Sequence, residues 1–115
     1  MELNIKVEKS RKNRYGYIKG EINDYSWFAL VHRKDVEYGI DPKTLKKGNG
    51  KITRLCVYKD IPISLENNVK YDGVIKRYIF ANYKREWDVL SPDHKYIVKN
   101  LVEYLERRYS IKLVK

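Results

Sequence analysis

Basic side chains interleaved with tyrosines are the groups in this sequence whose chemistry is clearest. The 115-residue chain carries 25 Lys and Arg against 15 Asp and Glu, a net charge of +10, and 11 tyrosines. Cations contact phosphate groups and exposed aromatic rings stack on bases, which is the combination that binders of RNA and of single strands use. The composition therefore predicts a polyanionic partner, although a chain encoded by an A/T-rich genome would also be rich in Lys, Ile, Asn and Tyr.

Fifteen of the 25 cations occur in three segments that contain no acid, over residues 9–19, 43–59 and 76–85. We predict that the phosphate contacts come from Arg11, Lys12, Arg14, Lys46, Lys47, Lys51, Arg54, Arg77 and Arg85. Tyr17, Tyr58 and Tyr83 are predicted stacking faces, because they stand where the solvated side of a strand would be. Binding led by these charges would depend strongly on salt.

Catalytic and metal-binding motifs are absent from the sequence. His32 and His94 are the only histidines and lack the spacing of zinc ligands, and the single Cys56 has no nucleophile motif around it. One trio of carboxylates has the chemistry to hold a magnesium ion for phosphodiester cleavage: Glu86, Asp88 and Asp93. Solvated neighbours and a helix cap account for these acids more simply, so we predict a non-enzymatic protein without a cofactor.

Strands are the elements that must position most of these groups. Apolar and polar residues alternate in residues 3–7, 15–22 and 52–60, which predicts three strands. The largely apolar residues 25–32 are predicted to pair with residues 15–22 as a further strand, and a last strand is predicted from Val74 to Leu90. Glycine, proline and asparagine interrupt the pattern between Arg33 and Gly50 and between Ile61 and Gly73, so both stretches are predicted to be loops. Short connections between successive strands favour antiparallel pairing.

A helix follows the last strand. Ser91 suits its N-cap, Pro92 its first turn, and Asp93 the positive end of its dipole. Apolar residues then recur at helical spacing, at Ile97, Val98, Leu101, Val102, Leu105 and Tyr109. We therefore predict a single α+β domain over residues 1–115, an antiparallel sheet of about five strands with the C-terminal amphipathic helix packed on one face, and Trp27 and Trp87 at the junction.

The N-terminal residues predict a cytoplasmic protein. Glu2, Lys6 and Glu8 interrupt the apolar residues, so there is no signal-peptide core, and no segment approaches the ~20 apolar residues of a membrane helix.

Three stretches, YGYIKGEI, EYGIDPKTLKKGNGKITRLCVYKD and NYKREWDVLSP, resemble a family of short, uncharacterised proteins of bacteriophages and mobile elements in low-GC Gram-positive bacteria. The resemblance implies a small accessory protein in the cytoplasm of a bacterial host cell, with no catalytic residues to carry over. Among such proteins are inhibitors of host defence nucleases, including anti-CRISPR proteins, whose partners are often ribonucleoproteins. The residues 61–73 and the basic N-terminal segment depart from the family pattern.

Three functions are open at this point. The first is binding of nucleic acid or of a nucleoprotein, such as a host defence nuclease complex, through a basic and tyrosine-rich surface. The second is a protein-protein interaction module, including a homodimer formed through an exposed sheet edge. The third is a metal-dependent nuclease that uses the carboxylate trio.

Overall fold

In the described part of the chain, an antiparallel sheet is followed by one helix. The computed structural model describes residues 3–8, 16–62 and 75–108. Six strands pair in the order in which they occur in the chain, which confirms the predicted α+β fold with one strand more than expected. The elements are β1 (Ile5–Val7), β2 (Gly16–Ile22), β3 (Tyr25–Ile40), β4 (Lys47–Pro62), β5 (Ile75–Lys84), β6 (Trp87–Leu90), a 3₁₀ turn (Pro92–His94) and α1 (Lys95–Arg108).

The sixth strand arises because the predicted last strand is two strands joined by a tight turn. The Lys84 amide N–H donates to the Glu86 carbonyl over 2.9 Å, and Arg85 adopts a φ of +66°. Glycine and asparagine are the usual residues at such a φ. The segment Lys-Arg-Glu therefore carries no turn signal that sequence reasoning would recognise.

The prediction of a loop from Arg33 to Gly50 is wrong for most of its length. β3 continues to Ile40 and β4 begins at Lys47, so only residues 41–46 form the turn. Two glycines that resembled loop residues instead permit close pairing: a Cβ on Gly39 would overlap the Gly50 carbonyl, and one on Gly50 would overlap the Ile40 carbonyl. Three shifts of register bend this long hairpin.

The β3–β4 turn is fastened on the side of the sheet that carries the helix. The Trp87 indole Nε1 donates to the Leu45 carbonyl over 2.6 Å, and Lys99 Nζ on α1 donates to the Lys43 carbonyl over 2.9 Å. Leu45 has a φ of +65° and a buried side chain. The turn and its lysines are consequently held beside the helix.

The core lies between the sheet and α1. Four helix residues are fully buried against the sheet, namely Val98, Leu101, Val102 and Leu105. Trp27 lies within this core and Trp87 packs against it, as predicted. Tyr109 lies outside the described residues. Among the residues described, no helix has the length and apolar character needed to cross a membrane.

The start of the helix differs from the prediction in one detail. Ser91 is the N-cap of the 3₁₀ turn, with Pro92 and Asp93 in the first turn as expected. Its hydroxyl makes no capping bond to the backbone and instead lies 2.8 Å from His94 Nδ1. The Ser91 carbonyl accepts the His94 amide N–H over 3.0 Å, which closes the turn.

Candidate nucleic-acid interface

The side chains of β2–β5 that point away from α1 form an open surface, called here the helix-free face. Successive side chains of a strand point to opposite sides, so the neighbours of the buried core residues belong to it. The register of the four strands then assigns its members. They are Tyr17, Lys19, Glu21, Ser26, Phe28, Leu30, His32, Arg54, Cys56, Tyr58, Asp60, Arg77, Ile79, Asn82 and Lys84.

One straight row crosses all four strands. Tyr17 pairs with Leu30, Leu30 with Arg54, and Arg54 with Lys84. Three strand spacings separate the ends of the row, a span of about 14 Å. Tyr17 is 60 % exposed at one end and Lys84 is exposed at the other. The row thus places an aromatic ring at one end and two neighbouring cations at the other, with Leu30 between them.

Two rings flanked by two cations form a second line that runs diagonally from Arg54. The Arg54 guanidinium lies 5.0 Å from the centre of the Phe28 ring, and the Phe28 and Tyr58 rings lie 6.0 Å apart. The Arg77 guanidinium lies 3.9 Å from the centre of the Tyr58 ring. Each cation is held over an aromatic face by attraction to the ring quadrupole, and the planes of the two rings are tilted by 57° from each other, so the line is a track of two rings capped by two cations.

Acids neutralise part of this track. Arg77 donates from Nε and Nη2 to the two oxygens of Asp60, over 2.7 and 2.9 Å. The hydrogen bond and charge of Asp60 raise the pKa of Arg77, and the hydrogen bond from Arg77 lowers the pKa of Asp60. Lys19 lies 3.7 Å from a carboxylate oxygen of Glu8, with both side chains largely exposed.

At the end of the helix-free face beside the β5–β6 turn, the surface sinks into a concavity of about 350 Å³ that crosses β2–β5. It is lined by Tyr17, Leu30, His32, Thr53, Arg54, Lys84 and Arg85. No carboxylate is among the described residues that line it, so we call it the cationic concavity. Its three cations come from the cross-strand pair of Arg54 and Lys84 and from the β5–β6 turn.

Arg54 is oriented by hydrogen bonds from one end of its guanidinium. Nη1 donates to Asn82 Oδ1 over 2.6 Å and to the Tyr83 carbonyl over 3.3 Å. The Asn82 amide donates in turn to Asp88 over 3.3 Å. With Phe28 beneath it, the side chain is fixed in place, and no carboxylate of the described residues pairs with it directly.

The rim of the cationic concavity is built by two irregularities of the backbone. The register steps from Leu30–Arg54 to Val31–Ile52, which leaves Thr53 as a bulged residue. Thr53 Oγ1 lies 2.6 Å from His32 Nε2, so both side chains are held at the rim. The left-handed φ of Arg85 turns its side chain back over the Tyr38 ring, 4.2 Å from the ring centre.

The structure brings together five of the residues predicted to bind nucleic acid. Tyr17, Arg54, Tyr58 and Arg77 share the helix-free face, and Arg85 lines the cationic concavity at its end. Arg11, Lys12 and Arg14 lie outside the described residues. Lys46 and Lys47 are exposed, but they lie in or beside the β3–β4 turn on the helix side of the sheet.

Lys51 is placed where it cannot reach a phosphate on this face. Its Nζ lies 3.0 Å from Asp35 and 3.8 Å from Glu106, and its amide N–H donates to Glu106 over 2.7 Å. Burial lowers the pKa of Lys51, but the hydrogen bond to Asp35 and the charges of both acids outweigh it and raise the pKa. Burial raises the pKa of Glu106 against the opposing effect of Lys51. These three side chains join the hairpin to α1.

The prediction that Tyr83 offers a stacking face is wrong. Its side chain is fully buried in the core, and its hydroxyl donates to the carbonyls of Tyr38 and Gly39, each 2.9 Å away. Burial raises the pKa of the hydroxyl. The register places Tyr83 opposite Leu55, on the side of the sheet that faces the helix. Assigning Tyr83 to the buried side required this register, which the sequence does not reveal.

Three residues of the site escaped sequence analysis. Lys84 belongs to a basic segment but only its pairing with Arg54 shows that it joins the site. Phe28 lies in an apolar strand whose two sides look alike, and His32 is the last residue of that predicted strand, next to the stretch that resembled a loop. Ile18 and Ala29 pair and are both buried, so their neighbour Phe28 points away from the core. The sequence alone does not show which side of this strand is buried.

The carboxylates proposed as a magnesium site are not assembled. Glu86, Asp88 and Asp93 are all described, and no group of three or more potential metal ligands occurs in residues 3–8, 16–62 and 75–108. Asp88 accepts a hydrogen bond from Asn82 instead.

Comparison of the chain with family models, with curated proteins and with solved structures finds no match. The fold and the surface chemistry described above are therefore the basis for the function proposed below.

Proposed function

We propose that this protein binds single-stranded nucleic acid, free or within a nucleoprotein, through the helix-free face. The cations would contact the phosphate backbone, and Tyr17, with the half-buried rings of Phe28 and Tyr58, would support the bases. No bond is made or broken in this proposal, so the role is that of a binding protein.

The observation that carries the proposal is a pair of neighbouring rings with a cation over each, on one open side of the sheet. Arg54, Phe28, Tyr58 and Arg77 follow one another at ring distances of 3.9 to 6.0 Å, and Tyr17 stands beside them. Proteins that bind single strands combine a positive groove for the backbone with rings on which successive bases stack. A single strand is favoured over a duplex because paired bases have no exposed planes to offer such rings.

Two pairs of exposed cations allow a test at equal charge. Lys84→Gln with Arg85→Gln removes two charges from the cationic concavity, whereas Lys46→Gln with Lys47→Gln removes two from the β3–β4 turn. Fluorescence anisotropy with a labelled oligonucleotide over a series of salt concentrations would measure the affinity of each. Thermal melts would show that both variants are folded.

We expect the concavity variant to bind more weakly and to depend less on salt. Each phosphate contact to a single strand contributes a slope of about −0.7 to log K against log salt, so two lost contacts reduce the slope by about 1.4. The turn variant should keep the affinity and slope of the wild type. If the turn variant lost affinity and the concavity variant kept it, the binding site would lie at the turn. If the wild type did not bind the oligonucleotide at all, the proposal would be rejected.

A second candidate function, association with a protein, is favoured by apolar side chains on and beside this face. Ile79 is 44 % exposed and Val89, which pairs with Asn82, is 42 % exposed. Exposed apolar residues beside polar ones are typical of protein interfaces. Light scattering that shows a stable homodimer, together with no affinity for RNA or DNA, would support this function.

The resemblance to phage accessory proteins suggests a setting for the first function. A protein of this kind would occupy the nucleic acid of a host defence nuclease and so inhibit it. Co-purification of the protein with a nuclease complex from a bacterial host, lost on RNase treatment, would test this setting.

A further inference from the structure

Positive charge on the helix-free face is concentrated at one end. Arg77 is paired with Asp60, and Lys19 lies within ion-pair distance of Glu8. In the described part of the chain, no carboxylate lies within ion-pair distance of Arg54, Lys84 or Arg85. The cationic concavity is thus the point on this face where an anion meets the most uncompensated charge.

The cations of the concavity lie close enough together to repel one another. Arg54 and Lys84 are directly opposite each other on neighbouring strands, where like charges repel and destabilise a sheet. Arg85 adds a third positive charge from a turn whose φ of +66° disfavours a residue with a side chain. A bound anion would relieve the repulsion, and the strained turn supplies a further ligand for it.

The number of cations indicates which kind of phosphate fits. A phosphodiester within a strand carries a single charge, whereas a phosphate monoester at neutral pH carries close to two charges and three strong acceptor oxygens. Three cations, with the hydrogen-bonded pair of His32 and Thr53 at the rim, match the monoester. Tyr17 lines the same concavity and would stack on the adjoining base.

We propose that the cationic concavity binds the terminal phosphate of a nucleic-acid strand, so that the protein recognises phosphorylated ends. This inference rests on the proposed function, because the rest of the strand is taken to follow the helix-free face away from the concavity. The strand then runs from Arg54 past Phe28 and Tyr58 toward Arg77, where the charges are already paired and only the chain interior needs to be held.

The test compares oligonucleotides of one sequence that differ only in their ends. Three versions are needed, with a 5′-phosphate, with a 3′-phosphate, and with hydroxyls at both ends; the fluorophore is attached through an internal base. Anisotropy gives their affinities for the wild type, for Lys84→Gln with Arg85→Gln, and for Arg77→Gln as a control on the same face. Thermal melts confirm that the variants are folded.

We expect one of the phosphorylated versions to bind the wild type about tenfold more tightly than the version with hydroxyl ends, since hydrogen bonds to charged groups contribute this much. The preferred version identifies the end that is recognised. The preference should disappear in the concavity variant and persist in Arg77→Gln, even if Arg77→Gln binds all versions more weakly.

Equal affinities for all three oligonucleotides in the wild type would overturn the inference while leaving the proposed function in place. A preference that survives in the concavity variant would also overturn it, because the phosphate would then be held elsewhere. Failure of every oligonucleotide to bind would overturn the proposed function and this inference with it.

Discussion

At the scale of single residues, the backbone of Arg85 lowers stability while its side chain serves the proposed binding. A left-handed φ is adopted at little cost by glycine but costs a residue with a side chain on the order of 1–2 kcal/mol. Arg85 occupies this conformation in the β5–β6 turn and directs its guanidinium to the cationic concavity over Tyr38. In the proposed function, this strained turn presents the Arg85 side chain to the bound phosphate.

Arg85→Gly should separate the two effects. Relief of the strained φ should leave the free energy of unfolding unchanged or raise it by up to about 1 kcal/mol, whereas affinity for an oligonucleotide should fall. Chemical denaturation and anisotropy measure the two quantities. Glu86→Gly is the matched control; it has no positive φ to relieve and should lower stability by about 0.5–1 kcal/mol while affinity is retained. A loss of stability in Arg85→Gly as large as in the control would contradict this reading.

Tyr83→Phe tests the reassignment of Tyr83 from the binding surface to the core. The variant keeps the ring but removes the hydroxyl that bonds to the Tyr38 and Gly39 carbonyls. We expect the free energy of unfolding to fall by about 1 kcal/mol and oligonucleotide affinity to stay unchanged. Tyr17→Ala should show the opposite pattern, since Tyr17 is exposed. Weaker binding by a stably folded Tyr83→Phe would restore Tyr83 to the site.

At the scale of elements, local pattern predicted the strands that have one buried side and failed where the backbone departs from regular pairing. Alternation was sufficient for β2 and for the middle of β4, and helical spacing was sufficient for α1. The distal half of the β3–β4 hairpin looked like a loop because its glycines serve close strand approach rather than a turn. The Thr53 bulge and the Arg85 turn depend on long-range pairing, so the cationic concavity that they shape had no signature in the sequence.

The contact between the β3–β4 hairpin and α1 depends on Glu106. Its carboxylate accepts the Lys51 amide N–H over 2.7 Å in a largely buried position. Glu106→Ala should lower the free energy of unfolding by about 1–3 kcal/mol, because a buried donor loses its partner. Glu106→Gln should retain most of the stability, since the amide oxygen still accepts this bond. Denaturation curves at one pH compare them, and equal losses in the two variants would contradict the role assigned to the hydrogen bond.

The burial of Glu106 also leads to a prediction about how stability depends on pH. Burial raises the pKa of Glu106 above its ordinary value of 4.5, so the folded state favours the protonated acid. For a raised carboxyl pKa, the stabilising contribution is complete below the unfolded value and is lost as pH rises through the folded value. Stability of the wild type relative to Glu106→Gln should therefore decline as pH rises above about 4.5. A difference that grows in favour of the wild type over this range would show that pairing with Lys51 outweighs burial.

At the scale of the whole molecule, the net charge of +10 says that a polyanion is attracted but not where it binds. Basic residues lie on several sides: some on the helix-free face, some at the β3–β4 turn, and some on α1. Ion pairs then remove Lys51 and Arg77 from the set of uncompensated cations. Cations also lie over rings on the opposite side of the sheet, where Lys59 Nζ is 4.7 Å from the centre of the Tyr25 ring and Lys76 Nζ is 5.0 Å from that of Tyr78. What distinguishes the helix-free face is the cationic concavity, where three cations and the exposed Tyr17 line one depression without a carboxylate among the described residues, and the sheet order that aligns them is a property of the folded chain alone.

The most direct test of that claim is a nuclear magnetic resonance titration of isotope-labelled protein with a short single-stranded oligonucleotide. Binding through the helix-free face predicts that the amide signals of Tyr17, Phe28, Arg54 and Tyr58 shift progressively, while those of α1 and of the β3–β4 turn stay in place. Shifts centred on Lys46, Lys47 and α1, with the helix-free face unaffected, would contradict the account.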